Sequence, residues 1–274
     1  MSSLPLALYV IAAGAYIVHF SRRSERAGRV ATVILVAGAL AHAFVIGMQT
    51  MQVGHLPVVG TTGAVSAFVC LLAVAYLYTE MMTNERAMGV FVVPLMAALQ
   101  VLPAVSNSVA ERPPVLNSPW FAIHVSSLLF AYASFALACV IGITYVLLFK
   151  ELKTKHLGYF YARLPSLQVL DLMNGRAVAV GWLFLTLGLG VGAIWLAQVQ
   201  PGAADPRVQA MSLLDPKIAI VLLCWFIYSF ELYARRTIGW SGRRAALLSA
   251  AGFTIVLLNF VPIGYFATTS HNFY

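Results

Sequence analysis

Eight apolar runs, roughly 4–20, 30–50, 62–79, 88–104, 120–149, 177–198, 217–234 and 245–263, cut the chain into lengths that suit a lipid bilayer. A hydrocarbon core of about 30 Å takes about 20 apolar residues at a helical rise. Backbone polar groups find no water there, so each run is expected to be a helix. The strands of a barrel would alternate in and out over about ten residues, and no such alternation is present. Composition agrees: 9% of the residues are charged, against about 25% in an ordinary soluble domain. The expected fold is an all-α polytopic membrane protein of eight transmembrane helices, a single integral-membrane domain over residues 1–274.

The connections set its orientation. Of the 17 Lys and Arg residues, 14 fall in alternate connections: Arg22 to Arg29, Arg86, Lys150 to Arg176, and Arg235 to Arg244. Only Arg112, Arg207 and Lys217 fall in the others. The positive-inside rule then puts the first set in the cytoplasm and both termini on the outer, periplasmic side of a bacterial inner membrane. The net charge of +8 is therefore a topology signal, and no nucleic-acid partner is expected. The first twenty residues have no basic leader region and no small-residue cleavage site follows, so they read as a retained span.

Cys70, Cys139 and Cys224 each lie in an apolar run without a C-x-x-C pair. Thiol exchange and covalent c-type haem attachment need such a pair, so these are expected to be free thiols filling the core. In the long connection 150–176, the apolar spacing from Leu164 to Met173 suggests a short helix lying on the inner surface. Gly188 and Gly192 form a small-xxx-small pair suited to close helix packing. No internal repeat is visible along the chain.

Ionisable groups inside spans are costly in lipid, which makes the few present worth attention. Glu231 has Arg235 four residues later, the favoured order for a helical ion pair, and Glu80 with Arg86 punctuates span three similarly. His42 lies midway along span two, and a packed structural histidine is favoured over a ligand to a second buried cofactor. His124, one turn after the interfacial Trp120, and His271, just past span eight, arrive at the same depth from distant parts of the chain. Two converging neutral imidazoles are what six-coordinate haem iron needs, and two unrelated interfacial histidines are the other reading. A zinc site needs further ligands. His55 and Asp215 are available, but no spacing supports them.

Longer motifs bear on this choice. Gly54-His55-Leu56-Pro57, Trp120-Phe121-Ala122-Ile123-His124-Val125, Leu164-Pro165-Ser166-Leu167 with Leu170-Asp171, Leu214-Asp215-Pro216-Lys217, Trp225 through Tyr228, and Gly239-Trp240-Ser241-Gly242-Arg243-Arg244 follow one another in order. Their order and spacing resemble the haem-handling membrane proteins of cytochrome c assembly, the CcsA, CcmC and HemX-like superfamily. The resemblance implies that two outer histidines, His124 and His271 here, ligate the iron of a non-covalently held b-type haem. On this reading Lys217 meets a haem propionate, Asp215 caps span seven and Trp120 belongs to the cofactor site, while helix start and interface anchoring are the other reading of Asp215 and Lys217.

Departures from the pattern matter too. The connection 199–216 contains no tryptophan, Ile218 stands where synthase members have glutamate, and Tyr233 stands where they have a histidine. Less stacking surface and one fewer ligand imply the HemX-like or YpjD-like branch rather than a full synthase. The expected role is to hold haem near the outer face for a partner, either another cytochrome c assembly subunit or an apocytochrome. On this reading the chain is an accessory to a haem lyase or synthase system and no enzyme by itself. The alternatives are a membrane regulator acting on a haem-biosynthesis enzyme at the inner face, or a polytopic small-molecule transporter.

Overall fold

A computed structural model describes residues 3–58, 60–106, 118–155, 158, 160–199 and 216–258. The described residues form eight α-helices and no strand: α1 Ser3–Arg22, α2 Glu25–Val53, α3 Thr61–Thr83, α4 Gly89–Val105, α5 Pro119–Thr154, α6 Leu167–Val199, α7 Pro216–Tyr233 and α8 Arg243–Leu258. A π-helical turn, Ala234–Ile238, extends α7. Each helix coincides with one of the apolar runs.

The helix ends are written locally. Ser24 precedes α2 and its hydroxyl accepts from the Ala27 N–H, while Gly54 closes α2 at φ +74°, a conformation glycine adopts without steric cost. Ser118 precedes α5 and accepts from the Trp120 N–H. Pro119 follows at the first helical position, where its missing N–H costs nothing.

Six of the eight helices are long and apolar enough to cross a membrane. The two others qualify the expectation of eight spans. α4 has 17 residues and carries Pro94 and Pro103 within it, giving about 26 Å at 1.5 Å per residue. The described part of α8 has 16 residues. A second correction concerns Leu164 to Met173. Instead of a separate surface helix, Leu167 opens α6, which runs unbroken to Val199. Leu170 and Met173 are fully buried, because the next turn is pulled into the bundle by polar contacts with the α7 extension.

The neighbours repeat although the residues do not. α1 packs on α2 and α4, and α3 packs on the same two; α5 packs on α6 and α8, and α7 packs on the same two. The two four-helix rings join chiefly through α3 and α5. Each ring buries a carboxylate at its arginine-rich end. Glu80 accepts from the Tyr16 hydroxyl at 2.6 Å and lies 3.7 Å from Arg86. Glu231 accepts from the Ser249 hydroxyl at 2.8 Å and from Arg235 at 3.3 Å. Gly89, opening α4, lies so close to the Tyr16 ring that a Cβ would overlap it, and Gly242, just before α8, meets the Tyr145 hydroxyl in the same way.

Association of helices in lipid relies on close packing more than on water exclusion. Phe135 stacks on Tyr228 at 3.7 Å, and both are fully buried. Two helices approach closely at Gly142 of α5, where a Cβ would sit 2.7 Å from the Ala246 carbonyl oxygen of α8. A carbonyl cannot rotate away as a side chain can. Gly142→Ala is therefore expected to destabilise the protein by about 1–3 kcal/mol, read as a lowered thermal midpoint by circular dichroism in detergent. An unchanged midpoint would contradict this packing. The three cysteines are free, with Cys70 and Cys224 buried, as their apolar surroundings lead one to expect.

Candidate functional site

The first turns of α5 run against the last turns of α6, at the end of the bundle opposite the arginine-rich one. Phe121 packs on Trp195 at 5.5 Å between ring centroids. One turn deeper, Nδ1 of His124 lies 2.7 Å from the Gly188 carbonyl oxygen. A carbonyl only accepts, so Nδ1 carries the proton and Nε2 carries the lone pair. That is the arrangement found in metal-ligating histidines, whose second nitrogen donates to a carbonyl or carboxylate and so fixes the ring. Gly192 completes the seat: a Cβ there would overlap Nδ1 and Cε1 of the His124 ring. Gly188 lies against Leu128 of α5, so the glycine pair packs the two helices as expected, and Gly192 also seats the imidazole.

Trp195 lies one turn beyond Gly192. It is 5% exposed, and its indole Nε1–H finds no acceptor among the described residues. A buried donor without a partner normally costs about 1–3 kcal/mol, so it marks a place where an acceptor belongs. Trp120 is 47% exposed on the outside of α5. Together these residues give an imidazole of fixed orientation, a buried pair of aromatic rings and an indole N–H without an acceptor among the described residues.

The remaining predicted residues divide. His271 and Asp215 lie outside the described residues. Lys217 falls in the first turn of α7. The Trp182 indole donates to Ser229 at 2.7 Å and the Trp225 indole to Thr186 at 2.8 Å. These bonds run α7 antiparallel to α6 and bring that first turn to the level of Trp195.

His42 is not gathered with His124. It is fully buried, with Nδ1 3.0 Å from the Tyr9 hydroxyl of α1 and Nε2 2.9 Å from the Ser66 hydroxyl of α3. Both ring nitrogens are engaged by neighbouring helices, which is the arrangement of a packed structural histidine. His55 follows the α2 cap, with Nδ1 3.2 Å from the Leu56 carbonyl. No three His, Cys, Asp or Glu side chains converge among the described residues. Sequence reasoning missed Trp195 and the part Gly192 plays in seating His124. The available signal was Gly-x-x-x-Gly-x-x-Trp at the end of one span, facing Trp-Phe-x-x-His at the start of another.

This is a multi-pass helical membrane protein with an oriented imidazole near one end of its bundle. The chain belongs to the cytochrome c assembly protein family, whose model matches residues 2–271. It is similar to the cytochrome c biogenesis protein CcsA of Synechococcus sp. (strain CC9605), 26% identical with 99% of this chain and 91% of that protein aligned. The CcsA proteins of Heterosigma akashiwo (strain NIES-293 / 8280G21-1) and Guillardia theta are 28% and 24% identical, covering 74% and 84% of this chain and 72% and 80% of their own lengths. The protein is therefore a membrane protein of cytochrome c biogenesis. These relatives do not support the HemX-like or YpjD-like branch suggested by the missing loop tryptophans, and the regulator and transporter readings are not favoured.

Proposed function

We propose that this protein binds haem non-covalently, as a b-type group, where α5 begins and α6 ends, and holds it for an apocytochrome or another assembly subunit. In this reading His124 and His271 would hold the iron. The observation that carries it is the hydrogen bond from His124 Nδ1 to the Gly188 carbonyl, which aims a defined lone pair from Nε2. When bound, the haem supplies the iron and any change of oxidation state. The protein's own residues bind and orient. Phe121 and Trp195 wall the macrocycle, the Trp195 N–H and Lys217 meet its carboxylates, Asp215 caps α7, and Trp120 borders the site at the lipid interface. The arginine distribution supports a multi-pass protein of the bacterial cytoplasmic membrane with this site on the periplasmic side and both termini there. With no loop tryptophans, the chain acts with a partner rather than as an enzyme alone.

An optical spectrum of the purified, haem-loaded protein tests the reading. The wild type is expected to show the sharp bands of bis-imidazole haem, and the His124→Ala/His271→Ala double variant to lose them. A wild-type protein that stays colourless after loading, or a double variant with an unchanged spectrum, would sink it.

A further inference from the structure

The arginine-rich end carries a groove that haem ligation leaves unused. The turn joining the π-helical extension of α7 to α8 folds back through two left-handed glycines, Gly239 at φ +73° and Gly242 at φ +63°. It borders an open groove of about 640 Å³ lined by Ile238, Trp240, Ser241, Arg243, Arg244 and Leu247. Trp240 is braced edge-on by Phe230 at 5.5 Å, and the Arg244 guanidinium lies 5.7 Å from its ring centroid. The Arg243 guanidinium lies 5.9 Å from the Phe149 centroid. Ring contacts of this kind hold a guanidinium in place without neutralising it.

Charge separates these two arginines from Arg86 and Arg235. Arg86 and Arg235 each pair with two carboxylates. Among the described residues, neither Arg243 nor Arg244 has a carboxylate within ion-pair distance. The nearby Asp171 is occupied, accepting from Arg235 and from the Gly242 N–H, each at 2.9 Å. Two positioned cations therefore line the groove at the N-terminal end of α8, whose dipole adds to the attraction for an anion. The rest of the lining is largely apolar. It includes Trp240 with Ile238 and Leu247, the last two 52% and 48% exposed.

An anionic head on an apolar body fits that pairing. We propose that this groove is a binding site for an anionic phospholipid, its phosphate bridging Arg243 and Arg244 and an acyl chain lying along Trp240, Ile238 and Leu247. A free phosphate would use the arginines but not the wall. General attraction to the basic end of the bundle would use any of its arginines equally. Each arginine near an anionic lipid surface is worth about a fivefold change in binding, so the pair is worth about thirtyfold.

Native mass spectrometry of the full-length protein, titrated with phosphatidylglycerol or phosphatidylcholine, tests the site. The wild type is expected to prefer phosphatidylglycerol, and Arg243→Gln/Arg244→Gln to lose about thirtyfold of that preference. The control Arg26→Gln/Arg29→Gln, which removes two exposed arginines from the first turns of α2 at the same end, is expected to keep it. A control that loses as much, or a wild type without preference, overturns the proposal. Displacement of the lipid by inorganic phosphate overturns the part assigned to the apolar wall. A second measurement uses the unmodified side chains of the groove. Brominated phosphatidylglycerol should quench tryptophan fluorescence more than brominated phosphatidylcholine, with the difference missing in Trp240→Phe. Equal quenching by the two lipids would overturn the proposal whatever the variants do.

Discussion

Gly192→Ala is expected to weaken haem binding by about 10- to 100-fold, the usual effect of disturbing the group that orients a metal-ligating histidine. The added methyl would overlap the His124 ring itself. The ring then has to turn, and its Nδ1 leaves the Gly188 carbonyl that it now meets at 2.7 Å. Nothing is removed from the ligand set, so haem titrations followed by absorbance should report lost orientation rather than a lost ligand. Gly190 is the internal control, because a Cβ there meets nothing within 4 Å. Gly190→Ala should leave the affinity unchanged and slightly favour the helix. Equal affinity of Gly192→Ala and wild type would show that the seat of His124 has no bearing on haem.

The largest loss of stability is expected from Arg235→Leu. This guanidinium is shared by three acceptors: Asp171 at 2.9 Å, Glu231 at 3.3 Å and Asn174 at 2.5 Å. The Glu231 side chain is 1% exposed, so removing the cation strands a carboxylate in a low-dielectric interior. Breaking a buried pair in this way costs about 3–5 kcal/mol. Lysine should not rescue it, since one ammonium cannot reproduce a planar fork that serves three partners. The double variant Arg235→Leu/Glu231→Leu should recover much of the loss, because the stranded charge goes with its partner. Arg236→Ala, at the exposed neighbouring position, should stay within about 0.5 kcal/mol of wild type. Thermal unfolding in detergent ranks the four variants. An Arg235→Leu protein as stable as Arg236→Ala would mean that the cluster contributes nothing.

The two predictions differ in how much of each was readable beforehand. The Glu231–Arg235 pair is legible because both residues sit on one helix four apart, where geometry is local. Asp171 and Asn174 are not, since they come from a different helix 61 to 64 residues away. His124 stands out as an ionisable group at the border of a span. The Gly188 carbonyl that fixes its tautomer belongs to the backbone, which no side-chain pattern reveals.

By itself the sequence determines the helices, their order, the alternation of basic connections and the family. Each of these follows from run length, local charge or motif order along the chain. The tertiary structure alone decides which face of each helix meets which neighbour. In a water-soluble bundle an amphipathic stripe announces the buried face. In lipid both faces are apolar, so the stripe is absent and fit takes over. That is why the two matching rings of four helices, the seating of His124 on Gly188 and Gly192, and an N–H of Trp195 with no acceptor among the described residues become visible only when the helices are packed.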